Sequence, residues 1–419
     1  MSNLAHYLRR ITYFSRNCRL FIVSNTILGF GISSIEVFLG LFFLSMNYRE
    51  DFIGTYYSIS TGTSALFLLL TGRLSDRIGR VASFYLTLFG NMAGYSILLF
   101  CDTPAMINLC GFINGASAAL RACTSAPFLH ENSKPEEREY VFPAASSYQM
   151  VGSILGNLIG GLMPVIFKNA GFAAGDPAAY RMAILISVLF MAVSVFPLGR
   201  IRTALKPGEV DESVKSPDGA GVRAAFLIPE GAYYHKFVIY TFFIGCGAGL
   251  IVPFFNIYFA QKFAMSSAQV GVIFMAANII TAASMMATPA ITARLGKIRS
   301  IMLMELASLP FLLALGFSTS LPVCLTAYLA RNSLMNMNNP VFTGVVMEMT
   351  KGSDRGRVNS IVTLGDNVSR TVSTFIAGRI ISNHGHSFPY MMTAAFYTIA
   401  AFYVYSAFGG YERVRPNAR

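Results

Sequence analysis

Thr71-Gly72-Arg73-Leu74-Ser75-Asp76-Arg77-Ile78-Gly79-Arg80-Val81 lies between two long apolar stretches, and 217 positions later it returns as Thr288-Pro289-Ala290-Ile291-Thr292-Ala293-Arg294-Leu295-Gly296-Lys297-Ile298. The copy is worn, with Pro289 for Gly72 and Ala293 for Asp76, and only the first keeps the full charge set. The same offset carries Gly54 onto Gly271, Glu131 onto Glu348, Arg138 onto Arg355 and Gly161 onto Gly378. A repeat of that length, spanning features far apart, indicates duplication of a block of about six membrane helices.

Around this element the composition is that of a chain solvated by lipid: 54% apolar and 12% charged, against about 25% charged in a soluble domain. Apolar stretches of about 18 residues or more fall at 20–46, 52–71, 81–100, 105–128, 140–167, 181–199, 237–260, 267–292, 299–318, 322–347, 357–382 and 388–408. Of the 32 Lys and Arg, Arg49, Lys168, Arg181 and Lys262 fall in one set of alternate loops, and Arg121, Arg331, Arg370 and Arg379 fall inside spans. All the others lie in the termini and the opposite loops, which predicts that both termini are cytoplasmic. The net charge of +12 follows from that bias and from contact with anionic headgroups, so it carries no argument for nucleic acid. The segment 20–46 is too long for a signal-peptide core and is expected to stay as the first span.

Residues 200–236 interrupt the apolar pattern with Arg200, Lys206, Pro207, Gly208, Asp211, Glu212, Lys215 and Pro217. They are too polar to bury a core and read as a cytoplasmic linker between residues 1–199 and 237–419. The six cysteines lack metal-ligand spacing or a paired framework and read as packing residues.

Gly72, Leu74, Asp76, Arg77, Gly79 and Arg80 match the motif between the second and third helices of the major facilitator superfamily, which this sequence resembles, and within it the 12-helix drug:proton antiporter-type members. Val81 departs from the motif, which often has a second basic residue there. The resemblance implies an all-α integral membrane protein of the cell (inner or plasma) membrane, with 12 transmembrane helices in two pseudo-symmetric six-helix bundles, expected as a monomer. It also implies a gate in which Gly72, Asp76, Arg77, Gly79, Arg80 and Glu131 brace one conformation by charge contacts with the ends of the fourth and eleventh helices.

An ionised group at mid-membrane costs about 2.5–3.5 kcal/mol on insertion scales, so one that is kept has a partner or a use. Glu36 lies on a stripe with Asn25, Gly29, Ser33, Gly40 and Phe43, one small and polar face of the first span. In the resembled fold the first, fourth, seventh and tenth helices line the cavity, and an acid on the first is a recurrent proton or cation site in multidrug exporters. Glu36 is therefore either a proton carrier or a structural carboxyl satisfied by a neighbour such as Arg121. Arg121 shares a stripe with Asn114, Ser117, Thr124 and Phe128 and sits about three turns nearer the cytoplasm than the family's fourth-helix arginine. Substrate binding, pairing with Glu36 and helix pinning remain open for it.

Asp366 and Arg370 stand four apart in the favourable order for an intrahelical ion pair, either structural or part of the closure equilibrium. Arg331, with Asn338 on its face and Asn332, Asn336 and Asn339 nearby, suits either an oxygen-rich solute or helix packing. Asn256, with Phe254, Phe255 and Tyr258 on the seventh span and Tyr56 and Tyr57 on the second, completes the cavity candidates. Glu305 reads as interfacial and structural. Gly152, Gly156 and Gly160, four apart on the fifth span, read either as a seam between bundles or as an ordinary packing face.

No His-Glu-x-x-His pair, Gly-x-Ser-x-Gly elbow or Walker loop is present, so neither an enzyme, a metal site nor a cofactor is expected. His384 and His386 read as solvated loop residues. The expected function is alternating-access transport of a small organic solute, by proton-coupled efflux. Uptake or facilitated diffusion of a nutrient or organic anion, and lipid or lysolipid transport, are the alternatives.

Overall fold

The computed structural model describes residues 14–171, 177–202, 234–351 and 354–414. Among them the chain forms twelve long helical segments, one for each expected span, and no strand. They are α1 (Arg16–Ser45), α2 (Glu50–Ile78), α3 (Arg80–Phe100), α4 (Pro104–Glu131), α5 (Pro135–Asn169), α6 (Pro177–Ala192, followed by the single turn Val195–Gly199), α7 (Tyr234–Ile251, resumed at Phe255–Phe263), α8 (Ser267–Leu295), α9 (Lys297–Phe317), α10 (Leu321–Met349), α11 (Arg355–His384) and α12 (Ser387–Val414). The linker expected at 200–236 lies, apart from its ends, outside the described residues.

Local chemistry sets the helix ends. Ser15 caps α1 by accepting from the Cys18 amide at 3.2 Å, and Glu50 and Asp51 place negative charge on the first turn of α2, where the helix dipole favours it. Inside α7, Pro253 lacks an amide hydrogen, and the helix passes through a 3₁₀ turn at Val252–Phe254 before continuing. Eight of the twelve are long and apolar enough to cross a membrane by length and composition. The other four, α2, α4, α10 and α11, include the helices with Arg121, Arg331, Asp366 and Arg370, whose polar groups lower their mean hydropathy.

The described residues divide into two compact units, one within Met1–Met46, Thr63–Val222 and Ser266–Met275, the other within Asn47–Gly62, Arg223–Met265 and Ala276–Arg419. In the first, α1 packs along α5 and α6, and α3 along α4. In the second, α7 packs along α11 and α12, and α9 along α10 and α12. Phe237, stacked on Phe408 at 4.9 Å between ring centres, belongs to the apolar core of the second unit with Ile298, Val345 and Val404.

Small residues let these backbones approach. A Cβ on Gly152, Gly156 or Gly160 would lie 2.6, 2.5 or 2.2 Å from the carbonyl oxygens of Thr26, Phe30 and Ser34 on α1. The α5 glycines thus form a packing face toward α1 in their own unit, not a seam between bundles. Along α7 and α11 the glycines stand on the other helix: a Cβ on Gly245 would meet Ser369 Oγ at 2.0 Å, and one on Gly249 would meet Ser373 Oγ at 2.1 Å. Among the described residues each unit also contains a glycine-to-glycine crossing. Built Cβ atoms on Gly161 and Gly54 would each lie 2.9 Å from a glycine Cα, that of Gly271 in the first unit and of Gly378 in the second.

Candidate functional site

In the first unit Glu36 is exposed although its neighbours Ile35 and Val37 are 0% and 1% exposed. It interacts electrostatically with Arg121 of α4. No ion pair or hydrogen bond joins the two side chains among the described residues. Arg121, itself half-buried, also feels Tyr95 of α3. It lines a partly open pocket together with Ser24, Asn25, Thr87, Phe21 and Phe84. The rest of its stripe does not share that opening. Asn114, Ser117, Thr124 and Phe128 are buried, and a Cβ on Gly94 of α3 would lie 2.4 Å from Asn114 Oδ1. Asn114 and Ser117 therefore pack on α3 and Thr124 donates to Ser75 Oγ of α2 at 3.1 Å, and from this stripe Arg121 alone reaches the pocket.

In the second unit Arg370 Nε and Asp366 Oδ2 are 2.8 Å apart, both side chains about one-third exposed or less. Glycines on α7 hold the backbone of α11 close beneath this pair. The other candidates of this half are enclosed. Arg331, 3% exposed, donates to Tyr397 Oη at 2.7 Å and lies 5.6 Å from the Phe255 ring centre. Asn256 is buried, and its Oδ1 accepts from the Ile257 amide at 2.9 Å. Phe254, Phe255, Tyr258 and Tyr56 are buried, and Tyr258 donates to the Leu315 carbonyl. Asn338 is buried and donates to Glu305 Oε1 at 3.3 Å.

Glu305 differs most from its sequence reading. It is 0% exposed, inside the unit instead of at its interface, and Tyr240 also donates to its Oε1. Nothing in the one-dimensional pattern of α9 shows this. The signal was the pair of polar residues, Tyr240 and Asn338, on two other helices that meet there.

The repeated motif is a joint rather than a loop. α2 runs to Ile78, α3 starts at Arg80, and Gly79 alone turns the chain with φ +89°. Arg80 gathers the site: it lies 2.7 Å from Asp76 and 3.0 Å from Glu131, and donates to Ser75 Oγ at 2.9 Å. Arg77 is exposed and Gly72 has no atom within 4 Å of a built Cβ. Its copy keeps the same construction, with Gly296 at φ +82° and Lys297 paired to Glu348. Arg138 donates to the His130 carbonyl at 3.4 Å, and its counterpart Arg355 to the Met347 carbonyl at 3.0 Å. The worn copy lost Asp76 and kept the brace.

His384 is exposed, whereas His386 is half-buried and bonded to Gln261 Oε1 at 2.9 Å. Gln261 in turn donates to Glu50. The six cysteines are free thiols, none exposed. Among the described residues, no group of three or more His, Cys, Asp or Glu is placed to hold a metal ion.

The family model described as Major Facilitator Superfamily matches residues 21–230 and 237–419. The tetracycline resistance protein, class H, of Pasteurella multocida is 26% identical over 149 residues, 35% of this chain and 36% of that protein, so the match spans about a third of the relative's length. A bacterial homologue of the human lysosomal transporter Spinster superposes with a TM-score of 0.76 at 13% identity, covering 96% of this chain and 98% of that one. The nucleoside transporter NupG gives 0.72 at 13%, covering 93% and 98%. The D-xylose-proton symporter gives 0.72 at 14%, covering 93% and 97%. With the full-length family match and twelve helices built on a duplicated joint, the chain is a multi-pass membrane protein that belongs to the Major Facilitator Superfamily.

Proposed function

We propose that this protein exports a small organic solute in exchange for protons, by alternating access of the sequence halves 1–199 and 237–419, with both termini in the cytoplasm. The observation that carries the reading is Glu36: an exposed carboxyl on α1, in electrostatic reach of Arg121 but not ion-paired with it. A carboxyl in that position is free to bind and lose a proton, and a cation opposite makes the two events compete. Export is favoured by the match to a tetracycline resistance protein, and a pocket that sets Phe21, Phe84 and Leu28 beside Ser24, Asn25 and Arg121 suits an amphipathic solute.

Uptake of an organic anion is the competing reading, and Arg121 is its support. Arg331 supports it less, since its charge is already engaged by Tyr397 and the ring of Phe255. The deciding experiment is a solute screen in proteoliposomes with and without an imposed proton gradient, including organic anions and a lysolipid. Accumulation driven by the gradient in the export direction supports the proposal. Anion uptake indifferent to the gradient, or lysolipid movement alone, overturns it.

A further inference from the structure

α9 places Glu305 eight residues beyond the Gly296–Lys297 joint, about 12 Å along the helix axis, and excludes it fully from the surface. Its Oε1 receives two donors, the Tyr240 hydroxyl of α7 and Asn338 Nδ2 of α10. Its Oε2 is buried and receives none. Among the described residues no Lys or Arg forms an ion pair with it. A carboxylate calls for donors at both oxygens, and a bare charged oxygen at this depth costs several kcal/mol. Two donors on one oxygen and none on the other suit the neutral acid, with Oε1 as its carbonyl oxygen and Oε2 carrying the proton.

A second orphan stands beside the first: Asn338 Oδ1 is also buried without a partner. Its Nδ2 donates to Oε1, an oxygen that accepts whether the acid is neutral or charged.

We propose that Glu305 is a second proton-binding site, separate from Glu36, which loads and releases a proton during the conformational cycle while Tyr240 and Asn338 donate to Oε1. On release the O–H bond breaks, its electron pair stays on the carboxylate, and the proton passes to water. The negative charge left behind is held by Tyr240 and Asn338. The titratable and charged groups around it are Tyr240 from α7, Asn338 and Arg331 from α10, the Asp366–Arg370 pair from α11, which reaches the cluster through Tyr240, and Tyr397 from α12. Asp366 opposes a second negative charge there and Arg370 offsets it, so a change at that partly exposed pair biases the proton on Glu305. The use of this proton in coupling rests on the proton-exchange reading above; its binding does not.

Infrared difference spectroscopy on the purified full chain, stepped through pH without solute or gradient, tests the site. In the wild type a protonated-carboxyl C=O band should bleach as pH rises. Glu305→Gln should delete it and lower the protons released per chain by about one; Glu305→Asp should move the band, and Glu36→Gln should leave it in place. A band unchanged in Glu305→Gln overturns the proposal. So does a wild-type band that persists at every pH at which the protein stays folded, because an acid that never loses its proton is structural. Neither result depends on transport, so failure of the export assay and failure here are told apart.

Discussion

Lys297 is ion-paired to Glu348 at the positions that Arg80 and Glu131 occupy in the first copy of the repeat. The pairing explains why the copy tolerates the loss of its acid at Ala293: the contact between the joint and the end of the next-but-one helix is the part retained. Arg80 makes the same contact and adds Asp76 and Ser75.

Arg80→Ala is expected to slow turnover more than Lys297→Ala, and both more than Arg77→Ala, whose side chain is exposed. A loss of about 1.4 kcal/mol from one conformation, tenfold in its population, is the scale for Arg80. Transport rate measured beside solute binding checks it. Equal rates for Arg80→Ala and wild type would show that the joint bears no load.

Two glycines of one motif should respond with opposite signs. Gly79 turns the chain at φ +89° with no atom within 4 Å of a built Cβ, so alanine there meets backbone strain alone, about 1–2 kcal/mol. Gly72 is helical and equally unobstructed, and alanine there should stabilise by about 0.5–1 kcal/mol. Thermal unfolding of the two variants in detergent separates them.

His386 gives a pH signature outside the spans. Burial pushes its imidazole down to about 4, with Lys262 acting the same way and Glu50 opposing. The folded protein holds it neutral while the unfolded chain protonates near its ordinary value of about 6.5. Its contribution to stability is thus present above about pH 6.5 and is lost as pH falls toward 4. Unfolding temperature should drop across that window, and His386→Asn should flatten the drop. An identical slope in the variant would assign the effect to other groups.

Glu36→Gln keeps the shape of the side chain and removes its titration. Gradient-driven accumulation should fall to the level seen without a gradient, with downhill exchange still measurable. Gradient-driven accumulation at the wild-type level in this variant would remove Glu36 as carrier and pass the role to Asp366 or Glu305.

The duplicated helices, the positions of all twelve segments and the Asp366–Arg370 pair were legible because each depends on spacing along one helix. The glycine pairings needed more. The offset placed Gly54 with Gly271 and Gly161 with Gly378 as equivalents, yet the contacts formed are the crossed ones, Gly54 with Gly378 and Gly161 with Gly271. Glu305 was illegible for the same reason. Whether a lone acid on an apolar helix faces headgroups or a buried tyrosine is decided by the neighbouring helices, and periodicity within α9 is silent about them. Asn114, Ser117 and Thr124 show the converse, since a polar stripe points away from lipid without pointing at a cavity.

The small residues at the two long helix contacts stand on α5 in one unit and on α7 in the other, although α5 corresponds by the repeat to α11. Transplanting α11 beside α1 would bring Ser369 and Ser373 where Gly152 and Gly156 now fit, and transplanting α5 beside α7 would leave gaps facing Gly245 and Gly249. The halves have ceased to be interchangeable parts. Converting either arrangement into the other requires the second glycine to be gained before the first is lost, since the reverse order drives a side chain into the facing backbone.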